Sequence, residues 1–309
     1  MTELIKNLYD INVLMIYSIS PSTYRIKSDS DSYILKYIDS PKMEGIIKRI
    51  KTLDLDVFDY VIKNRFGEYI SRLNDNYFII TPYYEENSSM DELKLKFYID
   101  SIVKLHNKTV YTLNVSNDFF LETFDFIEEK LINTSEQLDR IVESIEKEDY
   151  KSPFGWMLVL NYAYLRKCMD KSYEYLEKFK RKSKDKNSVR MVLSYLNFSF
   201  DHIMLKDRKI ISIENIKNAP PIFDIVNMVE KCYDSSISLV SILEEYLNKF
   251  KLYDYEKYWL LSILFIPLYK FDKVDDIEKI KQLVNTLEYC KCIESIEKNL
   301  ENKKLSETT

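Results

Sequence analysis

The segment at 193–224 constrains the fold more than any other part of this sequence. It predicts a short strand and a loop, and then two strands, at 202–205 and 209–213, that are joined by a charged turn. A Pro-Pro pair follows, and a helix is expected to begin near Ile222. The whole chain has only 3 glycines, so long helices are expected to dominate over tight turns. The segment therefore predicts a small β-hairpin in helical surroundings.

This order of elements resembles the catalytic segment of the aminoglycoside phosphotransferase and choline kinase-like family, and most closely its CotS-type spore coat branch. In that family the segment reads His-Gly-Asp, four residues, Asn, a hairpin, Ile-Asp-Trp or Ile-Asp-Phe, and a second Asp at the start of a helix. The apolar run at 259–271, which contains Phe-Ile-Pro, resembles the helix that closes the large lobe in the spore coat branch. The resemblance implies an α+β protein with a two-lobed, protein kinase-like fold of the aminoglycoside phosphotransferase type.

The resemblance divides the chain into a small β-rich N-terminal lobe at 1–86 and a large, mainly helical C-terminal lobe at 87–309 that contains the degenerate catalytic hairpin. The small lobe is expected to hold a five-stranded sheet and one helix. A short helix or strand is expected at 1–16, and the alternation of apolar residues predicts strands at 18–27, 32–38, 57–62, 68–72 and 77–84. Helical periodicity predicts helices at 41–53, 91–109, 117–147, 153–182, 222–251, 254–269 and 275–302.

Three catalytic positions of the resembled family carry other residues here. The Ile-Met-Leu strand aligns His202 with the metal-binding Asn. The catalytic Asp, five residues earlier, corresponds to Asn197, and the preceding His-Gly corresponds to Tyr-Leu. The second metal-binding Asp, twelve residues before Asp224, corresponds to Ser212. The hydrophobic frame is therefore kept while the chemistry has changed.

These substitutions predict a catalytically inactive site. Phosphoryl transfer requires a positioned carboxylate and Mg²⁺ held across the phosphates, and Mg²⁺ prefers hard oxygen ligands. Asn197 can orient a hydroxyl group but cannot accept its proton at neutral pH. No catalytic residue and no metal site are therefore expected. Asp201 and Glu214 lie close along the chain to the substituted positions, which leaves open an atypical enzyme that uses one of them.

Lys36 corresponds to the lysine that binds ATP in the resembled family. It lies on a predicted strand with apolar residues on both faces, so its ammonium is expected to point inward and to be paired. An edge strand with Lys36 extended into water is the alternative. Glu44, on the predicted helix at 41–53, is the expected partner of Lys36, although an ion pair with Lys48 explains Glu44 equally well. Lys36 and Glu44 are thus predicted as a vestigial cofactor-binding pair.

The stretch at 18–23, where a loop would cover the phosphates of a nucleotide, contains no glycine. Without glycine the backbone cannot approach phosphates closely. We expect no cofactor; the residual alternative is weak binding of ATP with Mg²⁺. At the dead site we expect Asn197, His202 and Ser212 to share hydrogen bonds, because buried polar groups need partners.

Charge and cysteine content narrow the class of partner. The net charge is −5, with acidic and basic residues mixed along the chain, so no nucleic-acid partner is expected. No apolar run approaches the ~18 residues of a membrane span, and the first residues lack a secretory pattern. The 4 cysteines form neither a disulfide framework nor a zinc motif, which indicates reduced thiols in a protein made in the cytosol.

The sequence therefore predicts a pseudokinase, retained as a structural or interaction component. The resemblance implies partners among the protein components of a spore coat or of sporulation, and assembly into the coat of a bacterial spore. The alternative is an atypical ATP-dependent phosphotransferase that acts on a small molecule of the aminoglycoside or choline type.

Overall fold

The computed structural model describes every residue except 87–89, 234–236, 270, 272–274 and 307–309. The chain divides into two compact units. One consists of Met1–Lys108 and Tyr195–Lys217, and the other of Thr109–Ser194 and Asn218–Thr309. These units differ from the division at residue 86 that the sequence predicts, because residues 195–217 belong to the same unit as the N-terminal residues. The division into lobes at residue 86 stays a prediction.

The first unit is built on a five-stranded antiparallel sheet in the order β1-β2-β3-β5-β4. The sheet consists of β1 (Val13–Ser20), β2 (Thr23–Ser28), β3 (Ser32–Ile38), β4 (Ser71–Leu73) and β5 (Asn76–Pro82). Side chains alternate between the two faces of a strand, so one face can pack on a core. On that face Ile26, Leu35 and Phe78 are buried against Ile5 of the helix α1 (Thr2–Tyr9).

One predicted strand of this unit is wrong, although five strands are present. Residues 57–62 contain a single bridge, between Phe58 and Ile210, instead of a strand. The backbone of this segment bonds to the catalytic segment, because Asp59 N donates to Ile210 O (2.8 Å) and Ile210 N donates to Val57 O (2.8 Å). The fifth strand is β1, which begins earlier than the predicted hairpin. The segment also contacts the sheet, because Ile62 N donates to Ile80 O of β5 (2.8 Å). The alternating apolar residues at 57–62 therefore lie between the hairpin and the sheet without forming a strand.

The remaining elements of the first unit are two helices and a hairpin. The helices are α2 (Met43–Thr52) and α3 (Asp91–Thr109), both at their predicted places. The hairpin consists of β8 (Ile203–Met204) and β9 (Lys209–Ile210), with 3-10 turns at Phe200–His202 and Ile213–Asn215 on either side. The predicted turn thus lies between two strands that are shorter than expected.

The second unit is mainly helical, with a three-stranded sheet in the order β10-β7-β6. The strands are β6 (Tyr111–Asn114), β7 (Ser188–Ser194) and β10 (Lys217–Ala219). The helices are α4 (Asn117–Glu146), α5 (Pro153–Ser183), α6 (Ile222–Cys232), α7 (Leu239–Lys249), α8 (Asp254–Leu264) and α9 (Asp276–Ser306). At the centre Trp259 of α8 stacks on Phe179 of α5, with ring centroids 5.0 Å apart.

The helix predicted at 222–251 is two helices in the described residues. A new helix begins after Ser238, whose Oγ accepts a hydrogen bond from Ser241 N (3.4 Å), the usual role of an N-cap serine. The part of the prediction at 234–236 lies outside the described residues. Across the described part of the chain, no helix combines the length and the apolar character that crossing a membrane requires.

Candidate functional site

A cavity of about 450 Å³ lies within the first unit, and the catalytic segment forms part of its wall. Strands of the sheet contribute Ile34 and Lys36, and the catalytic segment contributes His202, Ser212 and Glu214. The size lies in the range typical of small-molecule sites. The cavity therefore collects two of the three substituted positions, His202 and Ser212, together with the predicted cofactor lysine.

Lys36 points inward, as predicted, but its partner is not Glu44. Its Nζ donates to Ser212 Oγ at 2.7 Å and to Glu214 Oε1 at 2.8 Å. Glu44 instead pairs with Lys48 across one turn of α2, with 3.0 Å between Nζ and Oε1. The prediction of a Lys36–Glu44 pair was therefore wrong, because a carboxylate and a hydroxyl of the catalytic segment already satisfy the ammonium.

The backbone at Ser212 explains how Glu214 reaches Lys36. Ser212 has φ 66° and ψ 43°, the left-handed region, which is costly for a residue other than glycine. The 3-10 turn Ile213–Asn215 follows immediately and reverses the chain. The carboxylate two residues after Ser212 is thereby brought to the ammonium of Lys36. A strand that continued straight would have given no such placement, which is why sequence spacing left Glu214 as an alternative only.

Asn197 and His202 contact each other at the position of the predicted catalytic loop. His202 Nδ1 lies 3.0 Å from the carbonyl oxygen of Asn197 and 3.4 Å from its Nδ2. The hydroxyl of Tyr195 lies 3.1 Å from the same Nδ1 and donates to Ile211 O at 2.6 Å. Burial lowers the pKa of His202, so the imidazole is neutral at physiological pH. Ser212 Oγ instead accepts a hydrogen bond from Lys36, and the prediction that it shares hydrogen bonds with Asn197 and His202, directly or through water, stays a prediction.

The loop keeps a backbone that favours glycine without having one. Leu196 occupies the left-handed region, with φ 57°, at the position where the resembled family has the Gly of His-Gly-Asp. Such a conformation costs roughly 1–2 kcal/mol for a residue with a Cβ. The loop therefore adopts its conformation at an energetic cost.

Asp59 is a cavity residue that sequence reasoning missed. It is 4% exposed, and its Oδ1 accepts a hydrogen bond from the hydroxyl of Tyr84 (3.1 Å). Burial raises the pKa of the Asp59 carboxyl to about 7, against the opposing effect of its hydrogen bonds, of which the first is from the side chain of Thr81. An aspartate inside the apolar run at 57–62 was the available signal, and the strand prediction obscured it.

Lys94 is the second missed residue. It lines the cavity from the first turn of α3, is 5% exposed, and donates from Nζ to the carbonyl of Phe200 at 3.1 Å. The helical spacing gives a signal: Lys94 shares the buried stripe of α3 with Tyr98, Ser101 and Leu105. A lysine on the apolar stripe of a helix indicates a buried cation.

The residues at the three substituted positions do not fit a magnesium ion. Mg²⁺ takes hard, usually anionic, oxygen ligands, whereas His202 offers a nitrogen and Ser212 offers a hydroxyl that already accepts a hydrogen bond from Lys36. The carboxylate of Glu214 lines the same cavity, and it is paired with the same lysine. Within the described residues, no group of three or more His, Cys, Asp or Glu side chains is arranged to hold a metal ion.

Comparison with solved structures identifies the fold. An aminoglycoside phosphotransferase from Alicyclobacillus acidocaldarius is similar at a TM-score of 0.68 and 12% identity, over 95% of this chain and 94% of that chain. The chain has the aminoglycoside phosphotransferase-like kinase fold. Spectinomycin phosphotransferase is similar in its AMP-bound form, at a TM-score of 0.57 and 12% identity, over 96% of each chain. Its complex with ADP and spectinomycin gives 0.54 and 13%, over 96% of this chain and 97% of that chain. No family model matches the sequence, and no curated protein matches it.

The predicted fold class is thereby confirmed. The similar structures are phosphotransferases, so the cavity of this chain lies in a fold that carries nucleotide-dependent chemistry in other proteins. At 12% identity the likeness concerns the fold and does not extend to the reaction, which depends on particular residues of the site.

Proposed function

We propose that this protein is a pseudokinase, a catalytically inactive kinase-like protein that acts through contacts with other proteins. The observation that carries the proposal is the chemistry of Asn197, His202 and Ser212. None offers a carboxylate, and each already makes a hydrogen bond within the site. Phosphoryl transfer needs a positioned carboxylate and Mg²⁺ held across the phosphates. All three positions lack the group that the resembled family has there. This supports inactivity more strongly than a single substitution would.

We further propose that the protein is made in the cytosol and is assembled with other protein components into the coat of a bacterial spore. The apolar run at 259–271 supports this proposal through its resemblance to the spore coat branch. Fractionation of spores from the source organism, with an antibody against this chain, tests it. We expect the protein in the coat extract, and its presence only in the cell lysate would contradict the proposal.

A turnover assay tests inactivity. Labelled ATP is incubated with the protein and with aminoglycosides, choline or sugars, in the presence of Mg²⁺ or Mn²⁺. We expect no transfer by the wild-type chain. The triple variant Asn197→Asp, His202→Asn and Ser212→Asp restores the family pattern and serves as the comparison. Transfer by the wild-type chain that disappears in Lys36→Ala would overturn the pseudokinase proposal.

The second candidate is an atypical phosphotransferase, and one observation favours it. Glu214 and Asp201 both line the cavity, and the carboxylate of Glu214 lies 2.8 Å from Lys36 Nζ. Spectinomycin phosphotransferase, which has a similar structure, forms complexes with AMP and with ADP and spectinomycin. If the present chain transfers phosphate, Glu214→Gln should abolish transfer while Glu44→Gln should not. Equal transfer by both variants would exclude a role for Glu214.

A further inference from the structure

The strand β1 lies at one edge of the five-stranded sheet and carries an exposed apolar surface. None of its 8 residues is charged, and none is a proline. Four large side chains of β1 are 44–58% exposed, namely Leu14, Met15, Tyr17 and Ile19. Its backbone pairs with β2 on one side, and no described strand pairs with the other side. The unpaired side is therefore a template for a further strand.

The opposite edge of the same sheet is protected. The strand β4 at that edge has 3 residues, and its central residue is Arg72. The guanidinium of Arg72 is exposed and pairs with Asp75, with 2.8 Å between Nη2 and Oδ1. Short edge strands and charged side chains are the usual means by which proteins prevent pairing of a sheet edge with another chain. The sheet therefore has one protected edge and one open edge.

The regular part of β1 defines which residues can pair. The pairing with β2 shifts register near each end of β1, which leaves 15–18 as the regular part. Met15 and Tyr17 lie on one face, because the hydroxyl of Tyr17 donates to Met15 Sδ at 3.0 Å. Ile16 lies on the other face and packs against the core of the unit. Any added strand must match this alternation of faces.

A second copy of the same strand matches it. A two-fold axis perpendicular to the sheet at Ile16 makes the two strands antiparallel and keeps the core faces of both sheets on the same side. Met15 then lies opposite Tyr17 of the second copy, and contacts between a thioether and an aromatic ring are favourable. The unpaired backbone groups of each strand gain partners in the other.

The charges near the ends of β1 are compatible with such pairing. An acidic turn lies beside the start of β1, where Asn12 Nδ2 donates to Asp29 Oδ2 at 2.6 Å. The antiparallel arrangement places this turn next to the other end of the second strand, where residues 18–22 are uncharged. Like charges are therefore not brought together at the ends of the strands. Because each copy has one open edge, the pairing closes at two copies.

We propose that β1 is a homodimer interface, through which two copies of this chain join their five-stranded sheets into one continuous sheet. The proposal deepens the proposed function and rests on it in one respect, that the protein acts through contacts with other protein chains. The turnover assay tests inactivity and does not depend on the dimer. A monomeric chain without transfer activity would refute the dimer alone, and a dimer with transfer activity would refute inactivity alone.

Sedimentation velocity of the full chain over a range of concentrations tests the proposal. We expect the wild type to shift from monomer to dimer as its concentration rises. Met15→Lys should raise the dissociation constant of the dimer about tenfold or more, because it buries an ammonium without a partner in the strand pair. The matched control is Ile132→Lys on α4, whose side chain is equally exposed (50%), and it should dimerise like the wild type.

Circular dichroism and thermal unfolding show whether both lysine variants are folded. Equal weakening of the dimer by Met15→Lys and Ile132→Lys would contradict the assignment to β1. A wild-type chain that stays monomeric at every concentration would overturn the proposal and would leave the open edge to a strand of another protein.

Disulfide cross-linking tests the register. In the proposed pairing Met15 lies opposite Tyr17 of the second copy, so a mixture of Met15→Cys and Tyr17→Cys chains should cross-link on mild oxidation. Each variant alone places its two thiols on the diagonal, about 7–8 Å apart between Cα atoms, which is too far for a disulfide. The wild type, with its 4 cysteines, measures the background. Equal cross-linking of the mixture and of a single variant would contradict the paired-strand interface.

Discussion

Buried charges are handled differently in the two compact units. In the second unit Arg190 of β7 pairs bidentately with Glu256 of α8, through Nε to Oε1 at 3.0 Å and through Nη2 to Oε2. The guanidinium also lies over the rings of Phe250 and Tyr253, at 4.5 and 4.3 Å from their centroids. Nη2 also donates to Lys251 O at 3.0 Å, so the guanidinium is held by a carboxylate, a carbonyl and two rings.

A second cluster of the same unit is also held together by hydrogen bonds between its own side chains. Glu297 of α9 accepts hydrogen bonds from Lys171 and from the hydroxyl of Tyr175 on α5, the latter at 2.7 Å. Burial is the main cause of the raised pKa of Tyr175, and the hydrogen bond to Glu297 adds to it. This cluster joins α5 to α9.

The charges of the first unit lie around a cavity instead. Asp59 is held by Tyr84, Lys36 by Glu214, and Lys94 by a carbonyl. Burial alone therefore does not identify a functional charge. What distinguishes the first unit is that its buried charged groups line one open cavity.

The largest effect on stability is expected when the Arg190–Glu256 cluster is broken. Glu256 is 1% exposed, so Glu256→Ala leaves the guanidinium of Arg190 without its carboxylate and removes the acceptor for Tyr253 N (2.8 Å). The free energy of unfolding should fall by about 3–5 kcal/mol. Urea denaturation measures it. The control is Glu245→Ala in the exposed Glu245–Lys249 pair, for which a loss of about 0.3–0.5 kcal/mol is expected. Equal losses in the two variants would show that Glu256 contributes no more to stability than an exposed carboxylate does.

The next prediction concerns the pH dependence of Asp59. Burial raises the pKa of its carboxyl from 3.8 to about 7, so the folded protein holds a proton between these values that the unfolded chain releases. The stabilisation is complete below pH ~4 and is lost as pH rises through ~7. Between pH 4.5 and 8 the stability of the wild type relative to Asp59→Asn should fall by about 3 kcal/mol. Asn keeps an acceptor for Tyr84, so the variant isolates the proton. A constant difference across this range would exclude the raised pKa.

The parts of the fold that could be predicted from the sequence are those that depend on the pattern of apolar residues. The hairpin with its charged turn, the inward Lys36 and the places of α2, α3, α4 and α5 follow from periodicity and turn residues, which act over a few neighbours. The strand predicted at 57–62 is wrong because alternation of apolar residues indicates burial, and here the segment is buried through a few backbone contacts to the hairpin and to β5. The local pattern of apolar residues indicates that a segment is buried, but not which part of the protein covers it.

The site was less predictable because single backbone angles decide it. The left-handed conformation of Ser212 turns Glu214 toward Lys36, and nothing in the local sequence requires φ 66° at a serine. Lys94 comes from a different helix, more than a hundred residues away along the chain from the loop that it contacts, so only the tertiary structure brings the two together. The sequence therefore indicated some of the residues of the site, but it did not predict which of them pair.

A smaller effect is expected at the Lys36–Glu214 pair, since its side chains are 15% and 20% exposed and water screens part of the interaction. Glu214→Gln should lower the free energy of unfolding by about 1 kcal/mol. A double-mutant cycle with Lys36→Met isolates the pair, and a coupling energy of about 1 kcal/mol is expected. Coupling near zero would indicate that Ser212 alone holds the ammonium and would free Glu214 for another role.

The smallest effect is expected at Glu44, where the sequence had placed the partner of Lys36. Glu44 is 33% exposed and pairs with Lys48 one turn away, whose side chain is 62% exposed. Pairs of this kind on a helix contribute about 0.3–0.5 kcal/mol, so Glu44→Ala should change the free energy of unfolding by no more than that. Raising the salt concentration should reduce even this difference, because screening weakens exposed pairs. A loss above about 1.5 kcal/mol that is insensitive to salt would mean that Glu44 reaches the ammonium of Lys36 in solution. Glu44 would then belong with the charges that surround the cavity and not with the exposed pairs on the helix surface.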